Sequence, residues 1–200
     1  MSKSVNNIIY IKIYFDLLFY ILYLCPKLIK SMKKVNIESL NDNFIEAIGK
    51  EWMLVASGSK ENFNVMTASW GCVGWLWNRP IAVVFVRPER FTHDFIEKNK
   101  YVTLSFLGKE PEMRAIYNFC GSKSGREYDK AKETGLISIE TEYGCVAFEQ
   151  ARLTLECEKL YKDNFKPGCF LNAEIKNWYD NMKGEYHDVY FMEIKNVYVK

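Results

Sequence analysis

The sequence predicts a mostly antiparallel β-barrel with small helices on its rim. Three observations carry this. Six segments read as strands, and only short helical stretches separate them. No strand is regularly followed by a long helix, as a doubly wound parallel sheet requires. No G-x-G-x-x-G follows a strand, so the dinucleotide fingerprint is missing. The chain has 200 residues. A domain of that size buries roughly 70% of the surface its unfolded chain exposes and needs no disulfide staples.

The elements follow in order. Residues 38–51 (ESLNDNFIEAIGKE) predict a short helix: Leu40, Phe44, Ile45 and Ile48 recur at helical spacing, and Gly49 can end it. WMLVASG (52–58) reads as a strand, ENFN as a turn and VMTAS (65–69) as a second strand. IAVVFV (81–86), with Pro80 ahead of it, is a third. FTHDFIEKN (91–99) is a short helix, and YVTLSFL (101–107) alternates as a strand. PEMRAIYNFC (111–120) is helical with Gly121 as its stop. SKSGR is a polar loop, and REYDKAKETG a second polar helix ending in Gly. Residues 145–162 and the C-terminal DVYFMEIKNVYVK alternate as long strands.

Charge and cysteine usage narrow the function classes. Apolar residues make up 48% and the net charge is +2, with both signs mixed along the chain. That balance is globular and gives no concentrated basic face for nucleic acid. The six cysteines stand at 25, 72, 120, 145, 157 and 169 without any C-x-x-C pair, and His93 and His187 are the two histidines. The pattern suits reduced thiols of the cytoplasm rather than a disulfide framework or a zinc site.

The first thirty-one residues stand apart. Residues 8–25 are about as long as a spanning helix of ~20 residues, but Lys12 and Asp16 sit inside them. Each charge costs ~2.5–3.5 kcal/mol near a bilayer centre. No small residues follow the apolar run to make a signal cleavage site. Residues 1–31 contain no Ala, Gly, Glu, Thr or Arg, and the composition shifts at Met32. Three readings stand: an upstream extension ahead of a natural start at Met32, a membrane anchor, or an apolar segment packed on the domain. Residues 32–200 form the domain in each.

Three stretches carry candidate chemistry. NVMTASWGCVGWLWNRP (64–80) holds three of the five Trp beside small residues. A flat ring ligand with one polar edge needs aromatic walls and close backbone; a strand turning a barrel corner would also explain it. VRPERFT (86–92) ends a strand and opens a helix between Arg87 and Arg90, an arrangement that favours an anion, although two solvated arginines would look the same. FCGSKSGR (119–126) reads as a phosphate cradle or a polar loop, without P-loop spacing. His93 with Asp94, and His187 with Asp188, read as solvated surface pairs. Cys120 reads as a half-buried thiol or a redox thiol.

Together and in this order, WMLVASG, NVMTASWG, WNRPIAVVFVRPERFT, TLSFL and NFCGSKSGREYDK resemble the flavin reductase-like family of FMN-binding split-barrel proteins, which includes the flavoredoxins. The resemblance runs from about Met32 to the C-terminus. It implies a six-stranded antiparallel split β-barrel of Greek-key type, working as a homodimer with one FMN per subunit. On that basis Thr67, Ala68, Ser69 and Trp70 would line the isoalloxazine. Arg87, Pro88, Arg90 and Thr92 would approach the phosphate or the pyrimidine edge, and Ser105 would sit on a neighbouring strand. Cys120, Gly121, Ser122, Lys123 and Ser124 would close on the phosphate or the exposed flavin face. Cys72 departs from the small residue the pattern implies. The expected activity is oxidoreduction through FMN, with NADH, NADPH or a small redox protein as donor and no obligatory protein acid or base. A flavin electron carrier without a nicotinamide site and a cofactor-free interaction module are the alternatives.

Overall fold

The computed structural model describes residues 32–181 and 186–200; the apolar 8–25 run lies outside the described residues. Ten strands are described: β1 (Lys33–Val35), β2 (Met53–Gly58), β3 (Phe63–Ala68), β4 (Gly71–Leu76), β5 (Arg79–Val86), β6 (Tyr101–Phe106), β7 (Ser138–Glu140), β8 (Val146–Phe148), β9 (Leu153–Asn164) and β10 (Asp188–Val199). Five short helices interrupt them: α1 (Phe44–Glu46), which runs into a π-helical turn at Ala47–Glu51, α2 (Phe91–Lys98), α3 (Pro111–Ser122), α4 (Lys130–Thr134) and α5 (Ala173–Asn181).

All pairing is antiparallel, in the order β3-β2-β6-β9-β10-β5-β4, with β1 also on β10. The six expected strands are β2, β3, β5, β6, β9 and β10, six consecutive neighbours in this sheet. Its two edges, β3 and β4, are joined by just Ser69 and Trp70. A two-residue link cannot cross a flat sheet of this width, because extended chain reaches only ~3.3–3.6 Å per residue. The sheet therefore curls until its edges meet, and the split of the barrel runs between β3 and β4. Gly71, the first residue of β4, is tightly enclosed: a Cβ there would stand 2.8 Å from the carbonyl oxygen of Val83 on the paired β5 and 2.9 Å from Cε of Met53 on β2.

Period-2 alternation divides the side chains among three apolar clusters, the smallest built on Ile81, Val83 and Val189. Met53, Val55, Met66, Val84, Leu104, Phe106, Leu155 and Met192 fill the barrel. Leu54, Ala56 and Val65 face outward and pack under α3 and β8 with Ile116, Tyr117, Cys120 and Phe148. Both faces of β2 are thus covered, which explains its unbroken apolar run. Among the described residues, no buried side-chain nitrogen or oxygen lacks a hydrogen-bond partner, and no helix is long and apolar enough to cross a membrane.

Several elements differ from expectation. The 38–51 helix breaks into a 3-10 turn at Ile37–Ser39 and α1, because Leu40 is extended and the Asn43 side chain caps a fresh start by accepting from the Glu46 amide. Gly49 lies inside the π-helical turn, which ends at Trp52 in a positive-φ conformation (79°). The GCVGWL stretch is strand β4, joined to β5 through Trp77 and Asn78, both at positive φ. Two such residues make the I′ turn that matches strand twist. The 145–162 run divides into β8 and β9, and α5 fills the β9–β10 connection. Helix α3 passes Gly121 and ends at Ser122. Helix α4 ends as expected at Gly135, which is left-handed at φ 69°.

Candidate functional site

A cavity of about 280 Å³ opens where the barrel splits. The end of β3 and the corner supply Thr67, Ala68, Ser69 and Trp70; the end of β5 and its turn supply Phe85, Arg87 and Arg90. The turn is closed by the Arg90 amide donating to the Arg87 carbonyl at 3.1 Å, and α2 starts from it. Two sequence motifs, separated by the β4–β5 hairpin, therefore face one space.

The third motif is clamped behind the second. Arg90 donates to the Gly121 carbonyl at 2.8 Å and to that of Cys120 at 3.4 Å. Arg126 donates to the Glu89 carbonyl at 3.1 Å and to Asp94 at 2.9 Å, and stacks over the Phe91 ring. Lys130, itself buried, donates to the carbonyls of Val65 (2.9 Å) and Cys120 (2.8 Å). Burial, with Arg90 nearby, holds its ammonium down to about 8. The last carbonyls of α3 are thus capped by two cations, as its dipole favours.

Thr67 lines the cavity but turns its hydroxyl to donate to the Tyr117 carbonyl at 2.6 Å. The remaining candidates sit around the cavity rather than on it. Pro88 is exposed in the turn. Thr92 is buried and accepts from Asn64 Nδ2 at 2.7 Å. Ser105 is fully buried on β6, 3.1 Å from the Thr154 hydroxyl. Cys120 is fully buried as well, and burial pushes its thiol up to about 11. It remains a thiol, and it is its carbonyl that meets Arg90 and Lys130. Gly121 packs on Thr67; Ser122 and Lys123 are exposed and Ser124 is half-buried, with its carbonyl accepting from the Glu127 and Tyr128 amides. Cys72 stands exposed on β4, outside this cavity.

Both histidine pairs are rearranged. His93 does not pair with Asp94: its Nε2 lies 2.7 Å from Asp188 Oδ2, and both side chains are largely buried. Asp188 also meets Lys162 at 2.9 Å. His187 turns the other way, lines the cavity, lies 5.1 Å from the Trp70 ring and places Nδ1 3.0 Å from the Tyr179 hydroxyl. Burial, reinforced by Arg87, pulls its imidazole down to about 4. The β5–β10 register, with Val86 opposite Asp188, brings it beside Arg87. No local spacing signals that; the one hint is the aromatic density of 165–186.

The family model described as the flavin reductase like domain matches residues 46–200, and the chain belongs to that family. No curated protein matches it in sequence. Similar solved structures include an FMN-binding protein from Thermus thermophilus, 22% identical with a TM-score of 0.57 over 83% of this chain and 79% of that one. A flavoredoxin from Methanosarcina acetivorans is 18% identical, with a TM-score of 0.57 over 84% and 76% of the two chains. Nitrilotriacetate monooxygenase component B from Bacillus cereus is 15% identical, with a TM-score of 0.57 over 84% and 82%. At these identities the likeness is one of fold.

Proposed function

We infer that this protein is an FMN-binding oxidoreductase of the flavin reductase type, taking reducing equivalents from NADH, NADPH or a small redox protein. One observation carries the reading. The two-residue corner that closes the split puts small side chains and an indole face in the same cavity as two arginines. A ligand with a flat ring and a phosphate needs both. Thr67, Ala68, Ser69 and Trp70 would hold the ring, and Arg87 the phosphate. Arg90 would hold the turn in shape through Gly121, and Ser122, Lys123 and Ser124 would add donors from the adjoining loop. Thr92, Ser105 and Cys120 support the site from behind.

Bound FMN would supply the hydride-accepting ring and carry the electrons. The chain's part is to bind, orient and bias charge. Arg87 favours negative charge in the cavity. His187, neutral at pH 7, offers a hydrogen-bonding ring nitrogen rather than a cation. We further read the protein as a homodimer, since β4 is an edge strand carrying the exposed Trp75, with Trp77 in its turn. The five described cysteines are all free, which supports a reducing compartment such as the cytoplasm.

The test is the visible spectrum of the full-length protein with FMN, before and after anaerobic NADH or NADPH. We expect a yellow protein that bleaches. Arg87→Ala should weaken FMN binding about ten- to hundredfold, because a hydrogen bond to a charged group is worth ~1.5–3 kcal/mol. A yellow protein that stays oxidised with both nucleotides points to an electron carrier. A colourless protein that ignores added FMN overturns the reading.

A further inference from the structure

Beside the corner cavity lies a larger one, of about 630 Å³. The two share Ser69, Trp70 and Phe85, so the Trp70 indole is a common wall. Three segments build the larger cavity: the π-helical turn after α1 (Ile48), the start of β4 (Cys72, Val73) and the β9–β10 connection (Ile175, Trp178). Its volume falls within the ~300–1,000 Å³ of small-molecule sites.

The chemistry on the two sides of Trp70 is opposite. The corner cavity carries Arg87, Glu89, Arg90 and His187. Among the described residues, the larger one has no Asp, Glu, Lys, Arg or His in its lining. A nucleotide pyrophosphate placed there would leave its charge without a partner, which is costly away from water. Aromatic faces are plentiful instead: Trp70 and Trp178 lie nearly parallel (21°) with centroids 6.5 Å apart, and Phe85 stacks on Phe165 at 5.4 Å. Trp178 is half exposed and Ile175 nearly so, so apolar wall now faces water.

We propose that this cavity is a binding site for an uncharged, flat aromatic molecule seated against Trp70 and Trp178. The site itself rests on its lining; its role as a substrate seat next to the cofactor rests on the flavin reading above.

Equilibrium dialysis of the full-length protein against 2-naphthol and naphthalene-2-sulfonate tests this, since the probes share a ring system and differ in charge. Saturable one-site binding of the naphthol is expected, with the sulfonate about tenfold weaker or worse. Trp178→Ala and Ile175→Asp should each lower naphthol affinity about tenfold while leaving FMN binding intact, and Trp178→Phe should retain it. Both positions are about half exposed, so neither change opens a hole in the buried core. Equal binding of the two probes, or wild-type affinity in both variants, overturns the proposal. Mutual exclusion of naphthol and FMN would make the cavity an arm of the cofactor seat, which also overturns it. So would dissociation of a dimer by either variant in sedimentation, because the face would then belong to a second copy of the chain. Naphthol binding without any FMN binding refutes the flavin reading and leaves this site standing.

Discussion

At the scale of single residues, His187 and Asp188 show how neighbours in sequence part company in space. Successive strand residues point to opposite faces, so Asp188 joins His93 and Lys162 while His187 faces Trp70 and Tyr179. The burial of His187 has a consequence for acid stability. Its pKa is about 4 in the folded chain against 6.5 as the ordinary value. Above pH 6.5 both states are neutral, and stability does not depend on this group. Below it the unfolded chain takes up a proton that the folded chain refuses, so stability falls as the pH drops from 6.5 to 4. The full loss is about 3 kcal/mol. Denaturant melts at pH 7 and pH 5 should show His187→Gln losing less stability on acidification than the wild type. Equal losses would remove His187 as the source.

At the scale of elements, the site is an interlock of three loops. Gly125 is the tightest point: a Cβ there would stand 1.9 Å from Asn64 Oδ1 and 3.1 Å from Phe91 Cδ1. Asn64 cannot give way cheaply, because it is buried and its amide donates to Thr92. Gly125→Ala should therefore cost about 1–3 kcal/mol, which lowers the melting temperature by ~2–12 °C for a chain of this size, and should weaken FMN binding. Gly74→Ala is the control, since nothing lies within 4 Å of its Cβ position. A tolerant Gly125→Ala would mean the loop is free to shift. Much of this was legible in sequence. Six strands showed themselves through apolar runs and alternation, and Thr67–Trp70, Arg87 and Arg90 through their place at strand ends. Strand β4 did not, because its two glycines and exposed Trp75 break any apolar pattern, and its turn puts Trp77 at positive φ. Ser105 and Cys120 carried the right chemistry, but strand pleat and helix packing turn their side chains into Thr154 and the outer core.

At the scale of the whole molecule, closure of the barrel explains why the site lies where it does. A sheet whose edges are tied by two residues must leave its ladder open at that seam, and an open seam is where backbone and small side chains can meet a ligand. The described span begins at Met32. Buried pairing at the start of this span is already internal: Glu51 accepts from Arg152 Nη2 at 2.6 Å and from the Gly108 amide at 2.7 Å, and Asp42 accepts from the same arginine at 2.6 Å. Strand β1 completes itself on β10, with Lys33 opposite Val199. A chain beginning at Met32 thus retains each of these contacts. Its thermal midpoint and FMN affinity should equal those of the 200-residue protein, as calorimetry and FMN titration of the two would show. A lower midpoint in the shorter chain, at equal FMN affinity, would give residues 1–31 a packing role on the domain. Equal midpoints would leave the barrel, its split and its site as a self-sufficient unit.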